Sequence, residues 1–463
     1  MLSPRVKKLH MVGLGMSNST MGRNITANVI VFSGYDDMMA GDNCTRTQGK
    51  IVLFNTIFTT YGGTVNTRTN AAVWGAECGA VAALIRSIGP FSMQNPHTGY
   101  SVPGVIAAAA VSNEDASQLQ RMQDRGQELV VSLYMENTVY EDSPSRNLLI
   151  DLVGSELPDE YVLVSGHGDS WDIAEGAMDD GGGFMASWEA VRTLNNLGLK
   201  PKRTIRAVVW VNEENGDRGG LQYLADGEAS DTLVNHSIAI ETDGGVFEPL
   251  GLGVTCDTGD CGAAMAQLEA LSPLLAPIGG GGRVISGGGG ADIDPICQTG
   301  LVCAGFEVLD PRLSNGVTNN PCTNDAQGKW LAPAYDTAEA TSYDSGYFWF
   351  HHSEADTMDL IDPAQLNANA AALAVWIYSI AQLPELLPRD AAAPEAAGGS
   401  DGNTNQSEVD ISVAVALAVL GCMLVGVWYS YSSHSSSEDS GDAEMGVNKG
   451  KLYEPLNSGS DNA

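Results

Sequence analysis

Positive charge is scarce in this chain. Its 463 residues carry 23 Lys and Arg against 57 Asp and Glu, a formal net charge of -34. Nucleic-acid binding needs clustered Lys and Arg to displace the counterions of the phosphate backbone, so a nucleic-acid partner is excluded. The same deficit disfavours adhesion to an anionic lipid surface. The 54 glycines have no Gly-X-Y period, which excludes a collagen-like rod. Eight cysteines stand at 44, 78, 256, 261, 297, 303, 322 and 422, and no two have Cys-x-x-Cys spacing, which argues against a cysteine metal site. The start, MLSPRVKKLHMVGLG, contains no apolar run of signal-peptide length. Hydrophobic content of 43% excludes a wholly disordered chain, and the length allows two or three domains.

One long apolar run is present. Ile411–Tyr429 is uncharged, and a helix of that length spans about 28 Å, close to the hydrocarbon thickness. Trp428, Tyr429 and Tyr431 sit at one end as interfacial aromatics do, so residues 411–431 are expected to form a single transmembrane helix. Residues 391–410 form a small-residue stalk before it, and the Ser-rich acidic residues 432–463 form a disordered tail. Glycosylation sequons begin at Asn18, Asn24, Asn43, Asn235 and Asn405, all before the helix, while Lys449 and Lys451 follow it. Both signs point to a lumenal or extracellular body and a cytosolic tail, in an endosomal, lysosomal or cell-surface setting. Tyr453-Glu-Pro-Leu456 has the tyrosine-x-x-hydrophobic form that sorting adaptors read. In an oxidising lumen Cys256 would pair with Cys261, and two of Cys297, Cys303 and Cys322 with each other; free buried thiols are the alternative.

The body alternates strands and helices. Apolar runs predict strands at Lys50–Asn55, Val102–Ala108, Tyr161–Ser165, Arg206–Val211 and Ser237–Glu241. Helices are predicted at Phe184–Leu197, with Phe184, Trp188, Val191 and Leu194 on the core face; at Asn113–Arg125, capped by Ser112; and at Pro363–Leu383. The fold class is therefore mixed α/β with a largely parallel sheet flanked by helices. A turn-rich stretch at 142–146 separates a smaller α/β unit from the main domain, which runs to about residue 390.

Polar residues gather where these runs stop. Tyr161–Ser165 leads into His167 and Asp169, Arg206–Val211 into Glu213 and Glu214, Ser237–Glu241 into Asp243, and the aromatic run Tyr347–Phe350 into His351 and His352. In open α/β sheets, sites form at the carboxyl ends of strands, so ligands distant in sequence would converge. His167, Asp179, Glu214, Asp243 and His352 offer the imidazole and carboxylate donors that suit zinc. Two divalent ions sharing one carboxylate would give the adjacent Glu213 and Glu214 a division of labour, one binding metal and the other acting as general base.

The segments His167–Gly183, Asn212–Gly216, Glu241–Gly245 and His351–Thr357 closely resemble the carboxypeptidase Q family of co-catalytic dizinc exopeptidases. The resemblance covers residues 1 to about 390. It implies the zinc exopeptidase fold with an inserted protease-associated α/β domain at 13–141, which the strand Lys50–Asn55 and a helix at Gly79–Ser87 fit, a catalytic domain at 142–390 and a remnant of its N-terminal part at 1–12. It also implies two Zn2+ per chain: His167 and Asp243 on one, Glu214 and His352 on the other, Asp179 bridging. Glu213 would be the general base, Asp169 the partner that orients His167, and His351 a packing residue. The implied activity is hydrolysis of short peptides, most plainly dipeptides with free termini, with an aminopeptidase or a metal-free receptor-like relative as alternatives. Homodimers are expected from relatives. Family members begin with a signal peptide, a propeptide and a first catalytic section, whereas Met1 matches an internal position, so a truncated gene model is expected. The 310–346 loop is longer than in relatives.

Overall fold

The computed structural model describes residues 1–90, 92–256, 261–310 and 346–389. Two sheets organise them. The smaller has six strands in the order β1-β5-β4-β3-β2-β6. These are β1 (Met11–Gly13), β2 (Ile25–Phe32), β3 (Ile51–Phe54), β4 (Ala82–Arg86), β5 (Ala107–Val111) and β6 (Val130–Leu133). Its four central strands are parallel and the outer two antiparallel. All four residues of β3 are fully buried, as an uninterrupted apolar run between two covered faces requires. Helix α1 (Tyr61–Glu77), capped by the Thr60 side chain, and helix α2 (Asn113–Asp124) pack on it. The Ser112 hydroxyl accepts from the Asp115 amide, so the predicted cap of α2 is in place.

The larger sheet has seven strands in the order β12-β11-β13-β10-β8-β9-β7. They are β7 (Leu148–Leu152), β8 (Leu157–His167), β9 (Arg203–Trp210), β10 (His236–Glu241), β11 (Glu248–Thr255), β12 (Arg283–Ser286) and β13 (Cys303–Leu309). Strands β9, β8, β10 and β13 run parallel; β7 and β11 are antiparallel to their neighbours β9 and β13. The expected mixed, largely parallel α/β sheet is thus present. Helices α3 (Gly182–Asn196) and α4 (Pro363–Ala381) pack on each other and on this sheet. The Trp376 indole of α4 is fully buried and donates to the Gly281 carbonyl at 2.8 Å.

Several local readings are corrected. Gly79–Ser87, expected as a helix, contains the central strand β4, held by parallel pairing to β3 and β5 on both sides. The strand expected at Val102–Ala108 begins only at Ala107. Tyr347–Phe350 is not a strand: Tyr347–Trp349 is a single 3-10 turn. The core face of α3 is built from Gly182, Gly183, Ala186, Ser187, Ala190, Val191 and Leu194, while Trp188 is exposed beneath the Arg192 guanidinium. Small residues are needed there because the helix start presses on the sheet: a Cβ on Gly183 would lie 1.8 Å from the Thr242 carbonyl oxygen. Residues 1–12, expected to belong with the catalytic part, instead place Met1 and Leu9 in the core of the smaller sheet.

Among the described residues three disulfides form: Cys256–Cys261, Cys297–Cys303 and Cys44–Cys78, the last not anticipated. Cys44–Cys78 ties the short helix Asn43–Thr47 to the C-terminus of α1 across 34 positions. Closing a loop of that size restricts the unfolded chain, so replacing both cysteines with serine is expected to lower the unfolding free energy by about 3–4 kcal/mol. Denaturant titration under non-reducing conditions measures this, and a change below about 1 kcal/mol would contradict it. Of the sequons, Asn24 is exposed, whereas the side-chain amides of Asn18 and Asn43 already donate to Val105 and Asp37 carbonyls. Asn235 is half-buried in a 3-10 turn. Asn405, Cys322, Cys422, the sorting signal Tyr453 to Leu456, nearly all of the 310–346 loop and the 411–431 segment lie outside the described residues. Among the described residues no helix is long and apolar enough to cross a membrane.

Candidate metal centre

The three central parallel strands bring their carboxyl ends together. In register, His167 of β8 faces Trp210 of β9, and Ser165 of β8 faces Glu241 of β10. His167 ends its strand, Glu213 and Glu214 lie just past β9, and Asp243 lies just past β10. Asn212 adopts a left-handed φ of 67° that turns the chain sharply out of β9, so that Glu213 and Glu214 occupy a short 3-10 turn over the strand ends. Asp179 enters from the turn that starts α3, and His352, itself at φ 57°, from the loop after Tyr347–Trp349.

Asp179 is at the centre. Its Oδ1 lies 3.2 Å from His167 Nε2 and its Oδ2 lies 3.3 Å from His352 Nε2. His167 Nε2 is also 3.7 Å from Asp243 Oδ1 and 4.0 Å from Glu213 Oε2. His352 Nε2 is 3.0 Å from Glu214 Oε2. Two clusters of compact ligand geometry result, His167 with Asp179 and Asp243, and Asp179 with His351 and His352, and Asp179 belongs to both. His351, read as a packing residue, thus stands close to the centre: its Nε2 is 3.7 Å from Asp179 Oδ2, and its ring stacks on His352 at 3.5 Å.

Hydrogen bonds orient these side chains. Asp169 acts twice: its carbonyl accepts from His167 Nδ1 at 2.8 Å, and its carboxylate accepts the amides of Glu213 and Glu214 at 3.1 and 3.3 Å. The first contact holds the ring proton on Nδ1 and leaves the Nε2 lone pair facing Asp179. The Asp180 carboxylate accepts the amides of His167 and Gly183, and the buried Tyr347 hydroxyl donates to Asp243 Oδ1 at 3.2 Å. The smaller sheet's unit holds the His352 loop. The Thr98 amide donates to the His352 carbonyl at 2.8 Å, Tyr61 stacks on Phe348, and Arg68 Nη1 lies 3.2 Å from His352 Nδ1. A guanidinium only donates, so this last contact leaves the ring proton on Nε2; a metal on that nitrogen requires the proton to leave and Arg68 to give way.

The electrostatics call for cations. Burial, then the charges of Asp179 and Glu213, push Glu214 up to about 11. Burial likewise raises Glu213 well above the carboxylate range, with Asp243 and Asp179 adding to it. Burial alone would also raise Asp179, but the neighbouring imidazoles of His351, His352 and His167 pull it down. His167 Nε2, Asp179 Oδ2 and Glu214 Oε1 are buried without a hydrogen bond. Such orphans are costly unless a ligand meets them. Nitrogen and carboxylate donors facing one small volume fit divalent zinc. The cleft that reaches them is lined by Trp171, Asp179, Glu214, His352, Ser353 and Asp356.

Asp180, Tyr347, Arg68 and Asp356 were not legible as site residues from sequence. Asp180 does stand beside the predicted ligand Asp179, and Asp356 shares a motif with His352, and that proximity was the available signal.

Comparison with known proteins agrees with this geometry. The model of peptidase family M28 matches residues 147–277. Carboxypeptidase Q of Homo sapiens is 38% identical over 394 residues, covering 84% of this chain and 74% of the relative; that of Bos taurus is 39% identical over 395 residues with the same coverage. Among solved structures, a peptidase M28 precursor from Shewanella amazonensis superimposes with a TM-score of 0.70 at 29% identity, covering 84% of this chain and 82% of its own. A zinc aminopeptidase from Bacillus subtilis shares the fold, with a TM-score of 0.53 at 18% identity over 81% of this chain and 79% of its own. With its strand-end histidines and carboxylates and this extent of similarity, the chain belongs to the carboxypeptidase Q family within peptidase family M28, the dizinc exopeptidases.

Proposed function

We propose that this chain hydrolyses short peptides, chiefly dipeptides with both termini free, at a pair of zinc ions held by its strand ends. The carrying observation is that Asp179 presents one oxygen to His167 and the other to His352, each within 3.3 Å, as a bridging ligand must. In this reading His167 and Asp243 hold one ion, Glu214 and His352 the other, and Asp179 both. When bound, the ions polarise the scissile carbonyl and acidify the attacking water. The protein's own residues do the rest. Glu213, on the same turn as Glu214 yet 4.0 Å from His167, takes the proton from that water and returns it to the leaving amine nitrogen. Asp169 keeps this base in place through the Glu213 amide and fixes the His167 ring.

The domain assignment is part of the proposal. Residues 13–141 correspond to a protease-associated domain and 142–390 to the catalytic domain; the six-stranded sheet supports the first and the strand-end cluster the second. Three disulfides and the exposed Asn24 sequon favour a body in an oxidising compartment. The uncharged stretch at 411–431 supports an anchor by one helix.

Identity to proteins named carboxypeptidase favours recognition of a free C-terminus. The test compares a free dipeptide with its N-acetyl and C-amide forms, on protein whose zinc has been counted. The expected result is two zincs per chain and a loss of at least about tenfold in kcat/KM on C-amidation. Full activity on the C-amide, with loss on N-acetylation, would make the enzyme an aminopeptidase. A chain without zinc would be a non-catalytic relative.

A further inference from the structure

We propose that Asp356 is a positioning residue for the metal pair, fixing the backbone that aims Asp179 and tying the Asp179 loop to the loop of His352. The inference rests on the dizinc reading above. Asp356 is buried, with 3% exposure. Its Oδ1 accepts the Met178 amide at 2.7 Å and its Oδ2 the Asp179 amide at 3.2 Å. The two amides leading into the bridging residue are thus gripped by one carboxylate. The tie is reciprocal. The Glu175 amide donates to the Asp356 carbonyl at 3.0 Å, and Glu175 Oε2 accepts the Met358 amide at 2.7 Å. Four hydrogen bonds therefore join residues 175–179 to residues 356–358.

This arrangement separates Asp356 from the ligand carboxylates beside it. Both of its oxygens are engaged by amides, whereas Asp179 Oδ2 and Glu214 Oε1 have no hydrogen-bond partner. Asp179 must reach two histidines with opposite oxygens, and a shift of its backbone by 1 Å would lengthen one contact as it shortened the other. Misplacement on that scale costs on the order of 100-fold in rate. A carboxylate is the side chain that can accept from two consecutive amides with two equivalent oxygens. Asparagine would turn an NH2 group against one of them.

The experiment uses the full-length zinc-loaded protein and the variants Asp356→Asn and Glu175→Ala. Zinc per chain is counted after dialysis against a chelator series, alongside kcat and KM. Asp356→Asn is expected to lose zinc at roughly 10–100-fold lower chelator and to lose a similar factor in kcat, with KM within about threefold. Glu175 is exposed, so Glu175→Ala removes one arm of the tie without opening the core; it is expected to shift zinc retention roughly 3–10-fold in the same direction. A merely structural role would lower the melting temperature and leave zinc retention unmoved. If Asp356→Asn does not fold, Glu175→Ala decides. Two zincs in the parent with unchanged retention and kcat in the folded variants would overturn the tie alone. A parent that binds no zinc would overturn the dizinc reading with it.

Discussion

Glu213→Gln is expected to keep both zinc ions and to lower kcat by about 10²–10⁴-fold. Glutamine matches glutamate in shape and retains an acceptor oxygen, so the turn of Glu213–Asn215 and the Asp169 hydrogen bonds to its amides are preserved. What disappears is basicity. A glutamate carboxylate can take a proton from the attacking water, and an amide oxygen cannot. Glu214→Gln is the informative contrast. That side chain is 3.0 Å from His352 Nε2, so its loss removes a ligand and should deplete zinc together with activity. Steady-state kinetics and metal counting on the two variants separate the roles. A Glu213→Gln protein with more than about a tenth of parental kcat would take the proton transfer away from Glu213.

The strand ends were legible because each ended an apolar run in a polar cluster, and chain order within a parallel sheet brings such ends together. Periodicity was less informative where the buried stripe is not apolar. Helix α1 buries Thr64, Thr67, Arg68, Ala71, Ala72 and Gly75, at clear helical spacing, but in residues that read as surface or loop. Strand β4 failed in the opposite way: Ala82 and Ala83 favour helix locally, and sheet pairing on both sides overrides them. Trp188 misled for a related reason. The approach of α3 to the sheet is set by Gly183 and Ser187, and a large side chain has room only outside. The roles of Asp180, Asp356 and Tyr347 depend on backbone amides and on side chains up to 178 positions away, which no local pattern encodes.

Asp179→Asn is expected to abolish the centre rather than weaken it. Turnover should fall below about 10⁻⁴ of the parent, beyond what the loss of a proton-transfer group alone costs. Metal content should fall below one zinc per chain. Both clusters of ligand geometry include Asp179, so one substitution takes a charged donor from each. The amide keeps the shape and leaves His167 with the carboxylates of Asp243 at 3.7 Å and Glu213 at 4.0 Å, so the metal-free fold should persist. Stability should report the same loss. In the parent, zinc binds the folded chain and not the unfolded one, and an ion at a thousand times its dissociation constant adds about 4 kcal/mol. Chelation should then lower the parental melting temperature by roughly 5–10 °C. In Asp179→Asn no such drop is expected, because there is no bound metal to remove. Calorimetry with and without chelator reads both proteins on one scale. If the variant kept two zincs and a parental chelator response, the two ions would have to be held without a shared carboxylate, and the assignment of Asp179 as their bridge would fail.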